Sequence, residues 1–165
     1  MTLTGQCRCA NVTYTLNTDA PLAVYACHCR HCQTWSGSAF ALHALLPADA
    51  LKVDGVLTEY GYDVEGQRSE HHLCGVCHTR IYNTTTAAPG LVVLRVGTLD
   101  ESPAVQPVAH IWVRYKQPWV TLAEGVPTWP QSPTPQAFAQ VLSEHKTQMY
   151  VARGLVPRWA AKQPQ

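Results

Sequence analysis

Charged side chains are scarce, at 14% of 165 residues against roughly 25% in an average soluble domain. That excludes a solvated scaffold or an acidic tail. Neither sign prevails, since the formal net charge is +1. No segment is a basic run, so neither nucleic acid nor an anionic membrane surface has an electrostatic footprint. No apolar stretch approaches the roughly eighteen residues of a membrane span. Met1-Thr2-Leu3-Thr4-Gly5 has neither the basic nor the apolar region of an export signal. A cytosolic protein with no membrane partner is therefore expected. Internal repeats, low-complexity tracts and the strand–helix alternation of a doubly wound fold are also missing.

What is present reads as a β-rich chain. An apolar content of 46% argues against disorder, and the length suits one core. Val12 to Leu16, Leu22 to Ala26, Phe40 to Leu46, Arg68 to Leu73, Ile81 to Thr84 and Leu91 to Val96 are strand candidates, rich in alternating or β-branched residues. Pro47, Gly66, Pro89-Gly90 and Gly97 punctuate them. The expectation is a mainly β fold of packed antiparallel sheets, with one helical turn at Pro47 to Leu51. After Trp129 the character changes. Pro130 to Pro135 reads as a linker, and Thr134-Pro135 as an N-cap and first helical position. Phe138, Val141, Leu142, His145, Met149 and Ala152 form one helical stripe that Gly154 ends, expected to dock on the sheet or on a second subunit. The organisation expected is thus a β domain over 1–130 and a linker with a C-terminal helical extension over 131–165.

The seven cysteines lie within the first 77 residues, as Cys7-Arg8-Cys9, Cys27-His28-Cys29-Arg30-His31-Cys32 and Cys74-Gly75-Val76-Cys77. An odd count does not suit a disulfide framework, and in a reducing cytosol metal thiolates are the better account. Zinc takes four protein ligands in a structural site and three plus an exchangeable one in a catalytic site, so seven cysteines divide as four and three. Cys27, Cys29 and Cys32, on one tight loop, supply the three. Cys7, Cys9, Cys74 and Cys77 close the other site and fasten the N-terminal strand to the middle of the chain. Two assignments compete. A redox dithiol at Cys74 and Cys77 lacks the strand–helix–strand context and leaves the other clusters unexplained. A middle site closed by His31 or a distant histidine would be structural, and spacing does not decide between open and closed.

Three thiolates on Zn²⁺ leave one negative charge, which makes a soft Lewis acid that favours a further thiol. A thiolate held there stays nucleophilic at neutral pH and adds to an aldehyde carbonyl, or releases one from a hemithioacetal. A small thiol and a small aldehyde are the expected partners.

Gly5-x-Cys7-x-Cys9, Cys27-His28-Cys29-x-x-Cys32 and Cys74-x-x-Cys77, in this order and with these gaps, resemble the glutathione-dependent formaldehyde-activating enzyme family. Phe40 to Leu51, and His110-Ile111-Trp112-Val113 followed by Pro118-Trp119, are similar to its later blocks. The resemblance implies a Mss4-like β fold with a structural zinc on Cys7, Cys9, Cys74 and Cys77. It also implies a catalytic-type zinc on Cys27, Cys29 and Cys32. The activity it implies is that of a carbon–sulfur lyase forming or cleaving S-hydroxymethylglutathione; the alternative is a non-catalytic zinc protein that binds glutathione or a protein partner. One residue departs from the pattern: His78 stands where the family usually has glycine. Histidine tolerates positive φ better than a β-branched residue, and His78 is otherwise a candidate donor to a cysteine sulfur.

Arg30, Arg80, Arg114 and Lys116 are candidates for a substrate carboxylate, each with solvated surface charge as the alternative. His28 and His31 either move protons near the metal or project into solvent, and His110 is either a site or a face residue on a strand. Trp35, Trp119 and Trp129 are candidates for a pocket wall, with core packing as the alternative.

Overall fold

The computed structural model describes residues 2–18, 22–64 and 66–144. β1 (Thr2–Gln6), β2 (Thr13–Asn17) and β5 (Leu51–Asp54) form a three-stranded antiparallel sheet in the order β1-β2-β5. β3 (Val24–Cys27), β4 (Ala41–Pro47), β6 (Leu57–Val64), β7 (Gln67–Cys74), β8 (Arg80–Thr85), β9 (Leu91–Arg95) and β10 (Ala109–Ile111) form a second sheet. Its order is β10-β3-β4-β9-β8-β7-β6. The fold is the expected one, antiparallel sheets with a C-terminal helix, and the only parallel pairing among the described strands is β10 with β3. Six strands fall where the alternation places them, and Ala48–Ala50 forms the expected turn as a 3₁₀ helix. Among the described residues no helix is long and apolar enough to cross a membrane.

The period of two in the central strands divides the large sheet into two faces. Val24, Ala44, Leu46, Val92 and Leu94 pack with Leu3, Tyr14 and Leu16 of the small sheet. Each such aliphatic side chain contributes roughly 1.5–3 kcal/mol when fully buried. Tyr25 and Cys27 belong to a second cluster, with Ala109 and Ile111, on which Leu45 also packs. The side chains of the candidate site stand on this second face.

Gly5 is required by packing. It pairs with Tyr14 across β1 and β2, and a Cβ there would lie 2.2 Å from Tyr14 Cζ and 2.5 Å from the Thr98 carbonyl oxygen. Tyr14 is fully buried, and its hydroxyl is 2.8 Å from Thr98 Oγ1, so the ring has nowhere to go. Gly5→Ala is expected to lower stability by about 3 kcal/mol, read as a fall in denaturant midpoint. An unchanged midpoint would show that the ring yields freely.

The helix α2 (Pro135–Glu144) begins as its sequence predicts. Thr134 Oγ1 accepts the Ala137 N–H at 3.3 Å, which satisfies one of the first-turn donors. Phe138 and Val141 pack with Trp129 on the cluster that contains Tyr25 and Cys27, and Phe138 meets the Tyr25 ring edge-on at 4.9 Å. His145, Met149, Ala152 and Gly154 of the expected stripe lie outside the described residues. The stretch read as a linker is tied down. The carbonyls of Trp129, Pro130 and Gln131 accept the N–H groups of Val113, Arg114 and Trp112 at 3.0, 3.4 and 3.3 Å.

Candidate metal centre and its pocket

All seven cysteines are free thiols, and they gather into two groups. Cys7 and Cys9 lie in the turn after β1, Cys74 ends β7, and Cys77 lies in the turn before β8. The four sulfurs lie within 4.8 Å of one another. Both turns are built alike. The Ala10 N–H reaches the Cys7 carbonyl at 3.1 Å and the His78 N–H the Cys74 carbonyl at 3.0 Å. Ala10 and His78 take positive φ, 61° and 56°. His78 thus occupies the left-handed position that glycine favours, and its side chain is exposed. Backbone N–H groups of Val12 and Val76 point at Cys7 and Cys74 sulfurs at 3.3 and 3.4 Å, and Asn11 Nδ2 donates to Cys9 at 3.2 Å. Burial pushes the Cys7 thiol up to about 12. Against burial, bonds from Thr79 bring Cys77 down to about 5.

The second group holds Cys27, Cys29 and Cys32, again within 4.8 Å. The segment is not the simple loop expected. Cys27 ends β3, Cys29 is the N-cap of a seven-residue helix α1 (Arg30–Ser36), and Cys32 lies in its first turn, its N–H donating to Cys29 Sγ at 3.3 Å. Gln33 fixes the helix, donating through Nε2 to the carbonyls of His28 at 2.6 Å and Tyr115 at 2.8 Å. Hydrogen bonding to Cys27 and Cys32 holds the Cys29 thiol down, to about 2, while bonding to Cys29 and Cys32, together with burial, drives Cys27 up. The first thiol to ionise is stabilised by the other two, which then resist. A soft dication among them relieves that conflict, so both donor sets fit zinc.

A pocket of about 170 Å³ opens beside this trio. Its floor is the second face of the large sheet, to which every strand contributes, from Ile111 on β10 to Tyr62 on β6, and α1 adds His31, Cys32 and Trp35. Cross-strand register explains the rows. Tyr25, His43 and Arg95 are successive partners across β3, β4 and β9, and His71, Asn83 and Val93 across β7, β8 and β9.

Two arginines set the tautomers of the buried histidines, because a guanidinium only donates. Arg95 Nη1 donates to His43 Nε2 at 3.3 Å, so that nitrogen is unprotonated; it also lies 3.4 Å from Cys32 Sγ. Arg80 Nη1 donates to His71 Nδ1 at 3.2 Å. His71 Nε2–H therefore donates to Ser69 Oγ at 3.3 Å, where Asn83 Nδ2 also donates at 3.4 Å. Burial, reinforced by these arginines, holds His43 well below the usual histidine range and His71 near 4. Both rings are neutral at physiological pH, and the pocket's positive charge belongs to the guanidiniums.

The remaining candidates separate. Of the four basic residues considered, only Arg80 lines the pocket. Arg30 and Arg114 are exposed, and Lys116 Nζ donates to the carbonyls of Gln117 and Val120 at 3.1 and 2.6 Å. His28 does not project into solvent: it is fully buried, with Nε2 3.0 Å from His110 Nδ1, and that pair braces the β3 end against β10. His31 is exposed at the pocket rim. Trp35 forms a pocket wall, stacked on His71 at 4.5 Å. Trp129 packs in the apolar cluster, and Trp119 is 75% exposed. His43, His71 and Arg95 escaped the sequence reading. For His43 a signal existed, a lone polar residue in the apolar run Phe40 to Leu46. Glu59, Glu70 and His72 also gather within 4.8 Å, but His72 is held by Glu59 at 3.5 Å and stacked on Tyr82 at 4.2 Å.

A crystal structure of a Rhodobacter sphaeroides protein, solved as a structural-genomics target, is similar at 21% identity and a TM-score of 0.46, over 59% of this chain and 87% of that one. No curated protein matches the chain. The family described as "Glutathione-dependent formaldehyde-activating enzyme" matches residues 2–115, a span that takes in both cysteine groups and every strand. By that match, over more than half of its length, the chain belongs to the glutathione-dependent formaldehyde-activating enzyme family.

Proposed function

We propose that the protein is a zinc-dependent carbon–sulfur lyase acting on a thiol–aldehyde adduct such as S-hydroxymethylglutathione. In this reading Cys27, Cys29 and Cys32 hold the catalytic zinc, and Cys7, Cys9, Cys74 and Cys77 hold a second, structural one. The observation that carries it is the trio's openness. Among the described residues no fourth ligand atom joins the three sulfurs, and the histidine nitrogen nearest Cys32 is engaged by Arg95. Zinc bound there would supply a Lewis-acid position that accepts a substrate thiolate.

In cleavage, the carbon–sulfur bond breaks and its electron pair stays on sulfur, while the hydroxyl proton leaves and the carbonyl forms. Nothing is oxidised or reduced. The chain must hold the sulfur, shield the carbon and accept the proton. His43 and His71 have their unprotonated nitrogens occupied by arginine donors, which leaves His31, at the rim, as the proton acceptor among the pocket's histidines. The test is exchange of formaldehyde with S-hydroxymethylglutathione, followed by NMR on the zinc-loaded protein. Exchange well above that of glutathione and formaldehyde in buffer is expected, and His31→Gln should slow it by roughly 10²-fold with zinc content unchanged. Exchange at the buffer rate in a fully loaded protein would overturn the lyase reading.

A further inference from the structure

Arg80 is 8% exposed, yet its Nε and Nη2 have no hydrogen-bond partner. The third nitrogen, Nη1, is committed to His71, and the guanidinium carbon lies 4.9 Å from the Trp35 ring centre. The plane and rotation of the group are thereby fixed. What remains free is the edge on which the Nε–H and one Nη2–H run parallel, the geometry that a carboxylate meets with both oxygens. Buried donors left unmet cost free energy, more so when charged.

Charge within the pocket points the same way. None of its described lining residues is Asp or Glu, and the ion pairs of the described residues involve Arg68 and His72, not Arg80 or Arg95. With a dication on three thiolates the site carries one negative charge, and the two guanidiniums bring two positive ones. One positive charge is left over before substrate binds; a substrate thiolate on the metal would balance it, and a carboxylate is then drawn by the local charge and the unpartnered edge of Arg80. The pocket's volume of about 170 Å³ is below the roughly 300–1,000 Å³ that encloses a drug-sized ligand. What enters is a small end group.

We propose that Arg80 is a substrate-binding residue whose free edge clamps a carboxylate close to the reacting carbon–sulfur bond, so that the protein selects adducts bearing a carboxylate on their small end. This rests on the thiol–aldehyde reading of the same pocket. The carboxylate comes either with the thiol or with the aldehyde, and the two sources are separable.

The experiment is calorimetric binding to the zinc-loaded protein in two arms, mercaptoacetate against its methyl ester and glyoxylate against its methyl ester. In at least one arm the acid should bind roughly ten- to a hundredfold tighter than the ester, the effect of a charge-assisted bidentate contact. The arm that shows the gap identifies the partner that carries the charge. Arg80→Gln should close the gap by weakening the acid alone, and Arg80→Lys, charged but without the fork, should restore only part of it. Equal affinity of acid and ester in both arms of the unmodified protein would overturn the inference, whether or not the variants fold. So would a gap that survives Arg80→Gln. The two readings fail separately. Mercaptoacetate and its ester bound alike, with glyoxylate and its ester also bound alike, would sink the carboxylate clamp and keep thiol ligation. Arg80-dependent glyoxylate binding, in a protein whose cobalt spectrum ignores every thiol, would keep the clamp and sink thiol ligation.

Discussion

Cys74→Ser is expected to yield insoluble or unfolded protein. The Cys74 sulfur is fully buried, and its group joins the turn after β1 to the turn after β7, segments some seventy residues apart in sequence. A structural zinc contributes roughly 10–16 kcal/mol of binding free energy to folding, as much as the roughly 5–15 kcal/mol by which whole domains are stable. Serine supplies no thiolate, so the three remaining sulfurs lose the closed tetrahedral set. Cys7→Ser should behave alike, because Cys7 is 2% exposed and contributes to the same core. Soluble yield, far-ultraviolet circular dichroism and bound zinc decide the matter. A Cys74→Ser protein with parental melting temperature and zinc content would exclude a four-thiolate structural site.

How much of this site the sequence carries depends on range. Local spacing marked out the grouping of four and three thiols, since each short motif puts its sulfurs on one turn whatever the rest of the chain does. Strand alternation was equally local, and it distinguishes Tyr25 and Cys27 from Val24 in the faces they occupy. The helix α1 was not legible. Seven residues are too few to show a 3.6-residue period, and a cysteine cap at Cys29 is not among the usual cap signals. β6 was missed for the opposite reason. As the outer strand of its sheet it carries Glu59, Asp63 and a glycine within LTEYGYDV, polar content that suits an edge and hides a strand.

The arginine–histidine network lies beyond any local signal. Arg80 meets His71 because β7 and β8 pair with a register shift between His72 and Leu73, and a one-residue change of register would send the side chains to the other face. His43 meets Arg95 only because β4 and β9 are neighbours in the sheet. From sequence, Arg80 is one of four basic candidates, and Arg30 alone is tied to the middle cysteine cluster. The fold separates them, by burying one guanidinium with an unpartnered edge and leaving Arg30 and Arg114 in solvent.

Cys29→Ser should produce the reverse of the Cys74 result, a folded protein without activity. Cys29 is only partly buried, and it sits at the mouth of a short helix rather than between the sheets. The apolar packing of Val24, Ala44 and Leu94 does not pass through it, and a serine oxygen can still cap α1. Two sulfurs, however, leave too little to retain a zinc that three held. The expected result is about one zinc fewer per chain, a melting temperature near the parent's, and formaldehyde exchange at the buffer rate. Cobalt substituted at the trio in the parent should change its visible spectrum when a thiol is added, because a fourth sulfur ligand alters the ligand field. Cys29→Ser should lack both that cobalt signal and its response. A variant that keeps two zincs and full exchange would remove Cys29 from the site. Loss of fold on the scale of Cys74→Ser would mean that the trio is structural, and that the pocket beside it has another use.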